Sequence, residues 1–391
     1  MRKGLFIFSL IVFMILSACS KKPESAARVE IIDGIKYVHN TEIPLHPNKK
    51  VSFEEDLSIG GEEYNMLFRP QRFIVDQNEN IYITDYQDQS IKVFNPKGEF
   101  IQTIGRKGEG PGEFSSIGYL AFLPDGRLMV MDLEARRISL FDSDGKYIES
   151  HHWAERPGGL IYATESTCLL TVYTFEGDNP LEDMKLFVKE FDFQGNEISS
   201  FGEFKIEESK ILSEKREEAT IHMVIYTPYS PHSIFAADPV RQHLYHCVND
   251  VYEIETFDRE GKVIRRSDRP YKLLPFTSED AEEFYSRYES RPMVNLKKRI
   301  RKMSMPKVKT ISSRMLVDDS GNLWVETHEQ KEEENRTFTA YDIFNADGYY
   351  EARVWIDKSP SLFMKGKMYR METDEETGYR FLKRYRVIWT D

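Results

Sequence analysis

The chain has 391 residues, 65 of them acidic against 53 basic, for a formal net charge of −12. That balance argues against a nucleic-acid partner, because a phosphate backbone demands a basic footprint. Three cysteines without paired spacing give neither a metal motif nor a disulfide framework. The 21 Tyr and 25 Phe recur along the whole chain with no Pro/Ser-rich linker, which points to one all-β body.

The first segment, "MRKGLFIFSLIVFMILSAC", has Arg2 and Lys3, an apolar run from Leu5 to Leu16, and small residues before Cys19. These are the three regions of a secretory signal, and the run is too short for a comfortable membrane span. "LSAC" (Leu16 to Cys19) resembles the lipobox of bacterial lipoproteins. The resemblance implies cleavage after residue 18 and lipidation of Cys19, with residues 19–28 as a flexible tether. Ser20 after the cysteine implies the outer membrane. Cleavage removes Arg2 and Lys3 and leaves the mature chain more acidic still. Of the remaining thiols, Cys168 and Cys247 read as two buried free cysteines, with a bridge between them as the alternative.

From Phe73 the sequence repeats. Residues 73–104 align without a gap on 120–151 at an offset of 47, placing Ile81 on Leu128, Asp85 on Asp132, Phe94 on Phe141 and Gly98 on Gly145. Self-similarity at a fixed period marks a repeat architecture. Its most regular element is Phe-Asp/Asn-x-x-Gly, at Phe94, Phe141, Phe191, Phe257 and Phe344. Asp or Asn caps a tight hairpin turn, and Gly takes the positive φ there. Upstream, "DQNENIYI" and "DDSGNLWV" turn the chain into a second strand. Each unit therefore has four short strands, and units of this length close radially into a propeller. The predicted blades are about 73–104, 120–151, 158–204, 233–271, 312–356 and 360–391. The last lacks its hairpin motif, so "FEEDLSIG" (residues 53–60) is expected to supply its outer strand and close the ring.

"IGRKGEGPGEF" (Ile104 to Phe114) invites reading as a phosphate-binding loop. Such loops lead into a helix, whose free N–H groups face the anion. Here Gly112 is followed by Glu113, and "GEFSSIGYLAF" has no helical period. The segment reads as a joint between the outer strand of one blade and the inner strand of the next.

The repeats, this joint, the N-terminal "IIDGIKYVHN" and the lipobox together resemble six-bladed β-propeller lipoproteins of bacteria, related to NHL-repeat proteins. The resemblance covers essentially all of residues 29–391 as a single propeller. Residues 205–232 lengthen the joint after blade three, and 272–311 carry a helical insertion. In that insertion Thr277 or Ser278 caps a helix with Glu279, Asp280, Glu282 and Glu283 near its positive end. The basic run Lys297, Lys298, Arg299, Arg301 and Lys302 reads as a docking patch for an acidic ligand, or as the solvated face of a helix covering one mouth of the ring. Charge runs ordinarily face water.

Chemistry is sparsely marked. His243 and His246 fall on opposite faces of one strand and do not share a metal. Asp85 and Asp132, at one repeat position, read as acceptors for turn N–H groups. There is no Gly-x-Ser-x-Gly elbow. No catalytic residue, metal ligand or cofactor is assigned. Tyr86, Arg106, Lys107, Arg136 and Tyr173, on the loops of one face, are the candidate ligand-binding residues. The expected function is a monomeric binding or scaffold lipoprotein of the cell envelope, held on the membrane by Cys19 and presenting a ring face to a protein, peptide or glycan. The alternative implied by the resemblance is an NHL-like metal-assisted lyase or hydrolase with an axial site.

Overall fold

The Asp/Asn-x-x-Gly motifs fold as tight turns in the computed structural model, which describes residues 27–61, 67, 69–153, 157–175, 184–215, 220–289 and 296–391. In one of them Asp142 Oδ1 accepts from the N–H groups of Asp144 and Lys146, and Gly145 sits at φ +78°. The same bonding recurs at Asn95, Asp258 and Asn345. Each turn joins the third and fourth strands of a blade. Cys19 and the signal segment lie outside the described residues.

Six sheets follow. Blade one comprises Pro70–Val75, Ile81–Asp85, Ser90–Phe94 and Phe100–Ile104. Blade two comprises Ile117–Phe122, Leu128–Asp132, Arg137–Phe141 and Tyr147–His152. Blade three comprises Pro157–Ala163, Thr167–Phe175, Met184–Asp192 and Glu197–Phe204. Blade four comprises Ser233–Asp238, His243–Val248, Glu253–Phe257 and Val263–Asp268. Blade five comprises Ser312–Val317, Leu323–Glu333, Arg336–Phe344 and Tyr350–Ile356. Blade six takes Leu362–Met364, Lys367–Thr373 and Arg380–Thr390 from the end of the chain and Lys50–Gly60 from its beginning.

Burial explains why the hydrophobic alternation is blurred. Every residue of Ile81–Asp85, Ser90–Phe94 and Leu128–Asp132 is buried, because these middle strands are covered on both faces. The outer strands, such as Phe100–Ile104, are mostly exposed. Apolar clusters fill all six seams between neighbouring blades. Tyr82 and Val93 meet Leu128 and Phe141 between blades one and two. Ile59 and Leu382 meet Val75 and Ile81 between blades six and one. The remaining four seams are filled in the same way.

Closure uses the predicted strand. Arg380–Thr390 pairs antiparallel with Lys50–Gly60, with Leu382 opposite Ile59 and Thr390 opposite Lys50. Arg386 reaches Glu54 at 2.5 Å, and Arg384 reaches Asp56 at 2.7 Å while donating to the Pro96 carbonyl of blade one. The exposed Arg386–Glu54 pair contributes little. The buried Ile59 and Leu382, together with the backbone ladder, carry the stabilisation.

The N-terminal segment "IIDGIKYVHN" adds a ribbon. Arg28–Ile32 and Ile35–His39 form a hairpin that joins blade four, with the second strand parallel to Val263–Asp268. From there the chain crosses blade five. Asn40 bridges the Asp268 and Gly348 carbonyls and accepts from the Tyr350 N–H, and Leu45 and His46 bond the backbone of residues 350 and 351. One strap thus stitches blades four, five and six.

The two long joints fold on each other. Ser209–Lys215 and Thr220–Tyr226 make a hairpin, against which the helices Ser278–Ser286 and Leu296–Ile300 pack through Ile225, Phe284, Tyr285, Leu296 and Ile300. Thr277 is the cap, in a reciprocal box with Asp280. Asp280 also takes Lys309 Nζ at 2.6 Å. In the basic run, Arg301 makes a two-pronged bond to Glu282 and Arg299 donates to the Ser213 carbonyl, so both partners are internal.

At the base of this satellite the His328 ring stands edge-on to Tyr229 at 4.8 Å and reaches Thr310 at 3.2 Å. Burial, with the Lys309 ammonium nearby, pulls the imidazole down to about 4. An unfolded histidine titrates near about 6.5, so the unfolded chain takes up the proton first on acidification. This contribution to stability is complete above that value and is lost as pH falls toward 4. Melting temperatures measured from pH 7 to pH 4 are therefore expected to fall less steeply for His328→Phe than for the unmodified chain; parallel profiles would contradict the assignment.

Candidate functional site

Strands within a blade alternate in direction, so the turns between second and third strands share one face of the ring with the joints between blades. Both long joints and the satellite they build lie on this face. Repeated side chains brace it from within. Asp85 accepts from the N–H groups of Arg69 and Gln87, and Asp132 from those of Ser115, Ser116 and Ala135. Asn249 in blade four holds the joint in the same way, through the His232 N–H and the Ser312 carbonyl. These carboxylates are therefore structural.

The glycine-rich joint has a packing explanation. Phe114 is fully buried against Phe141, and its N–H bonds the Arg106 carbonyl at 2.8 Å. Gly105 sits at φ +71°, and a Cβ there would lie 2.2 Å from the Phe114 ring. A Cβ on Gly108 would lie 2.1 Å from the Glu113 carboxylate. That carboxylate is fixed by the Gly110 N–H at 3.0 Å and the Arg106 guanidinium at 2.8 Å, which together hold its pKa below the ordinary value. No helix follows, so the anion-binding geometry is absent from this segment.

Beside the joint, between blades one and two, lies an open cleft of about 1010 Å³. Tyr86 and Lys107, both singled out in the sequence, line it with Arg69, Gln87, Glu109, Glu134, Arg137 and His152. The Arg69 guanidinium lies over the Tyr86 ring at 5.4 Å, and Tyr86 remains 46% exposed. Arg137 forms the floor, bonded to the Glu109 and Glu113 carbonyls at 2.9 and 2.6 Å. The wall thus offers an aromatic face and charges of both signs.

The other three candidates lie apart. Arg106 is engaged with Glu113. Arg136 borders a separate small hollow with Leu133 and Trp153. Tyr173 lies over Gly158, where a Cβ would meet its ring at 2.4 Å. Sequence reasoning missed Arg69, Glu134, Arg137 and His152, which occupy no shared motif and meet only because blades one and two are adjacent.

Two further features bear on chemistry. Around Asp342, the Tyr252 and Tyr350 hydroxyls donate at 2.6 and 2.8 Å and Arg353 at 2.8 Å, with Arg269 stacked among the rings. Burial and the Asp342 charge push both hydroxyls above their ordinary range, so they remain donors in a seam between blades four and five. Cys168 and Cys247 are free and buried in different blades, with burial raising both thiols. Among the described residues, no group of three or more His, Cys, Asp or Glu stands close enough to hold a metal ion.

A family described as "6-bladed beta-propeller" (DUF5128) matches residues 65–260, half of the chain. The chain belongs to this family. No curated protein matches it. Among solved structures, this propeller is similar to a Bacteroides fragilis protein inferred to be exported, at 9% identity and TM-score 0.49, covering 90% of this chain and 99% of that one. It is also similar to a DUF4221 member from Bacteroides vulgatus, at 10% identity and TM-score 0.48, covering 86% and 98%.

The joint yields a direct test. Gly105→Ala must displace a buried ring, costing about 1–3 kcal/mol beyond the strain of a positive φ. Gly126→Ala, at φ +87° with nothing within 4 Å of its Cβ, carries the strain alone. Denaturant midpoints for the two variants are expected to rank in that order; equal midpoints would contradict the packing account.

Proposed function

We propose that this propeller is a monomeric binding protein of the bacterial envelope, anchored through a lipidated Cys19 in the outer membrane. It presents the joint-bearing face to a protein, peptide or glycan partner. The observation that supports this most is the cleft between blades one and two. An exposed tyrosine backed by Arg69, and flanked by Lys107, Glu109, Glu134 and His152, suits an extended polar chain. Aromatic faces supply contact area at low entropic cost, and mixed charge confers orientation. The opposite face carries the tight Asp/Asn-Gly turns, whose polar side chains are occupied with their own backbone. Fold does not imply function, so the site and not the propeller carries the reading.

The anchor rests on Arg2 and Lys3, the apolar run and "LSAC". A single acyl chain gives marginal attachment, and the multiple chains of a lipoprotein give stable attachment.

The test places a photo-reactive residue at Tyr86 or Lys107 of the full-length chain in its native cells, with Lys97 on the opposite face as control. Positions 86 and 107 are expected to yield a discrete adduct that Glu134→Lys diminishes, while 97 yields none. Cys19→Ala should release the protein from the membrane fraction and abolish labelling by a palmitate analogue. Equal adducts from both faces, or none from the cleft, would overturn the binding reading; unchanged fractionation would overturn the anchor.

A further inference from the structure

The axis of the ring holds a second feature. Each inner strand enters from a joint, so its first residues stand at the joint-bearing end of the axial channel. Two hollows share Leu160 there. One, of about 530 Å³, is bordered by Gln71, Arg72, Tyr119, Ser361 and Arg380. The other, of about 320 Å³, is bordered by Thr171, Ser233, Ser313 and Arg314. Arg72 and Arg380 border the first hollow and Arg314 the second, and among the described residues neither wall contains an Asp or Glu.

The arginines are also positioned. In four blades the inner strand breaks register at this level, between Pro70 and Phe73, Ile117 and Tyr119, Pro157 and Gly159, and Ser312 and Arg314. Such bulges re-aim side chains. The Arg72 bulge is pinned by the buried Thr84 hydroxyl, which accepts from the Arg72 N–H at 3.0 Å. Its guanidinium lies 4.8 Å from the Tyr119 ring centroid, and the Tyr119 hydroxyl is held by the Gly158 carbonyl at 2.6 Å. Arg380 donates to the Pro70 carbonyl at 2.6 Å. The carboxylate paired across from Arg314, Glu326, is occupied by the Tyr341 and Ser313 hydroxyls.

We propose that the channel mouth binds a small oxyanion, a carboxylate or a phosphate, through Arg72, Arg314 and Arg380. Guanidinium forks match both groups geometrically, and the neighbouring Gln71 and Ser361 add neutral donors. An acidic exterior around a cationic mouth lets a compact anion be held where a large polyanion is repelled. This site is independent of the cleft between blades one and two.

Calorimetric titration of the full-length chain with inorganic phosphate and, separately, with succinate tests it. Saturable one-to-one binding of either probe is expected, and the probe that binds better identifies phosphate or carboxylate as the ligand class. Arg72→Gln and Arg314→Gln should each weaken it by at least about tenfold, the loss of one charged hydrogen bond. Arg72→Lys should give an intermediate loss, while Lys97→Gln on the opposite face changes nothing. Circular dichroism checks each variant, and if Arg72→Gln does not fold, Arg314→Gln decides. Absence of saturable binding by both probes, or binding untouched in the folded arginine variants, overturns the proposal.

Discussion

The ladder between Lys50–Gly60 and Arg380–Thr390 is the constraint on which everything else depends. A propeller blade is covered on both faces only when it has two neighbours, so an open ring would leave blades one and six each with an apolar face in water. Joining the beginning and end of the chain in one sheet fills the seam of Ile59, Leu382, Val75 and Ile81 and removes two free edges. The contact spans most of the chain, with Lys50 opposite Thr390, which makes it entropically expensive to form and cooperative once formed. The N-terminal strap, running from blade four across blade five to that closing strand, ties the same end down a second time.

Much of this was legible in the residues. The Phe-Asp/Asn-x-x-Gly turns announced the third and fourth strands because a positive φ and an Asx cap leave a chemical signature. The missing hairpin motif of the last blade pointed to "FEEDLSIG" as the closing strand, because a four-stranded blade needs an outer strand from elsewhere. What stayed hidden lacked a local signature. The helix after Thr277 was legible from its cap and acidic first turn, but the strands Ser209–Lys215 and Thr220–Tyr226 were not, and only packing through Ile225, Phe284 and Leu296 makes them one body. "IIDGIKYVHN" carried a hairpin turn at Gly34, but nothing in it indicates blade four as its neighbour.

The site divides in the same way. Tyr86 and Lys107 stood out as exposed residues on loops, and the cleft contains both. Arg72, Arg314 and Arg380 did not, since each lies in or at the start of a strand and they border the axial hollows from three different blades. A ring makes its functional surfaces from residues far apart in the chain, so local motifs report its turns far better than its chemistry. The glycines of the first joint illustrate this, resembling a phosphate loop while serving to seat Phe114.

The closing ladder can be measured through its register. Ser52 stands opposite Ile388, so a Ser52→Cys, Ile388→Cys chain is expected to form an intramolecular disulfide under mild oxidation and gain resistance to unfolding. Phe53→Cys with Ile388→Cys, displaced by one residue onto the other face, is expected not to cross-link. Efficient cross-linking of the displaced pair, or failure of the opposed pair in folded protein, would contradict a ring closed by its two ends.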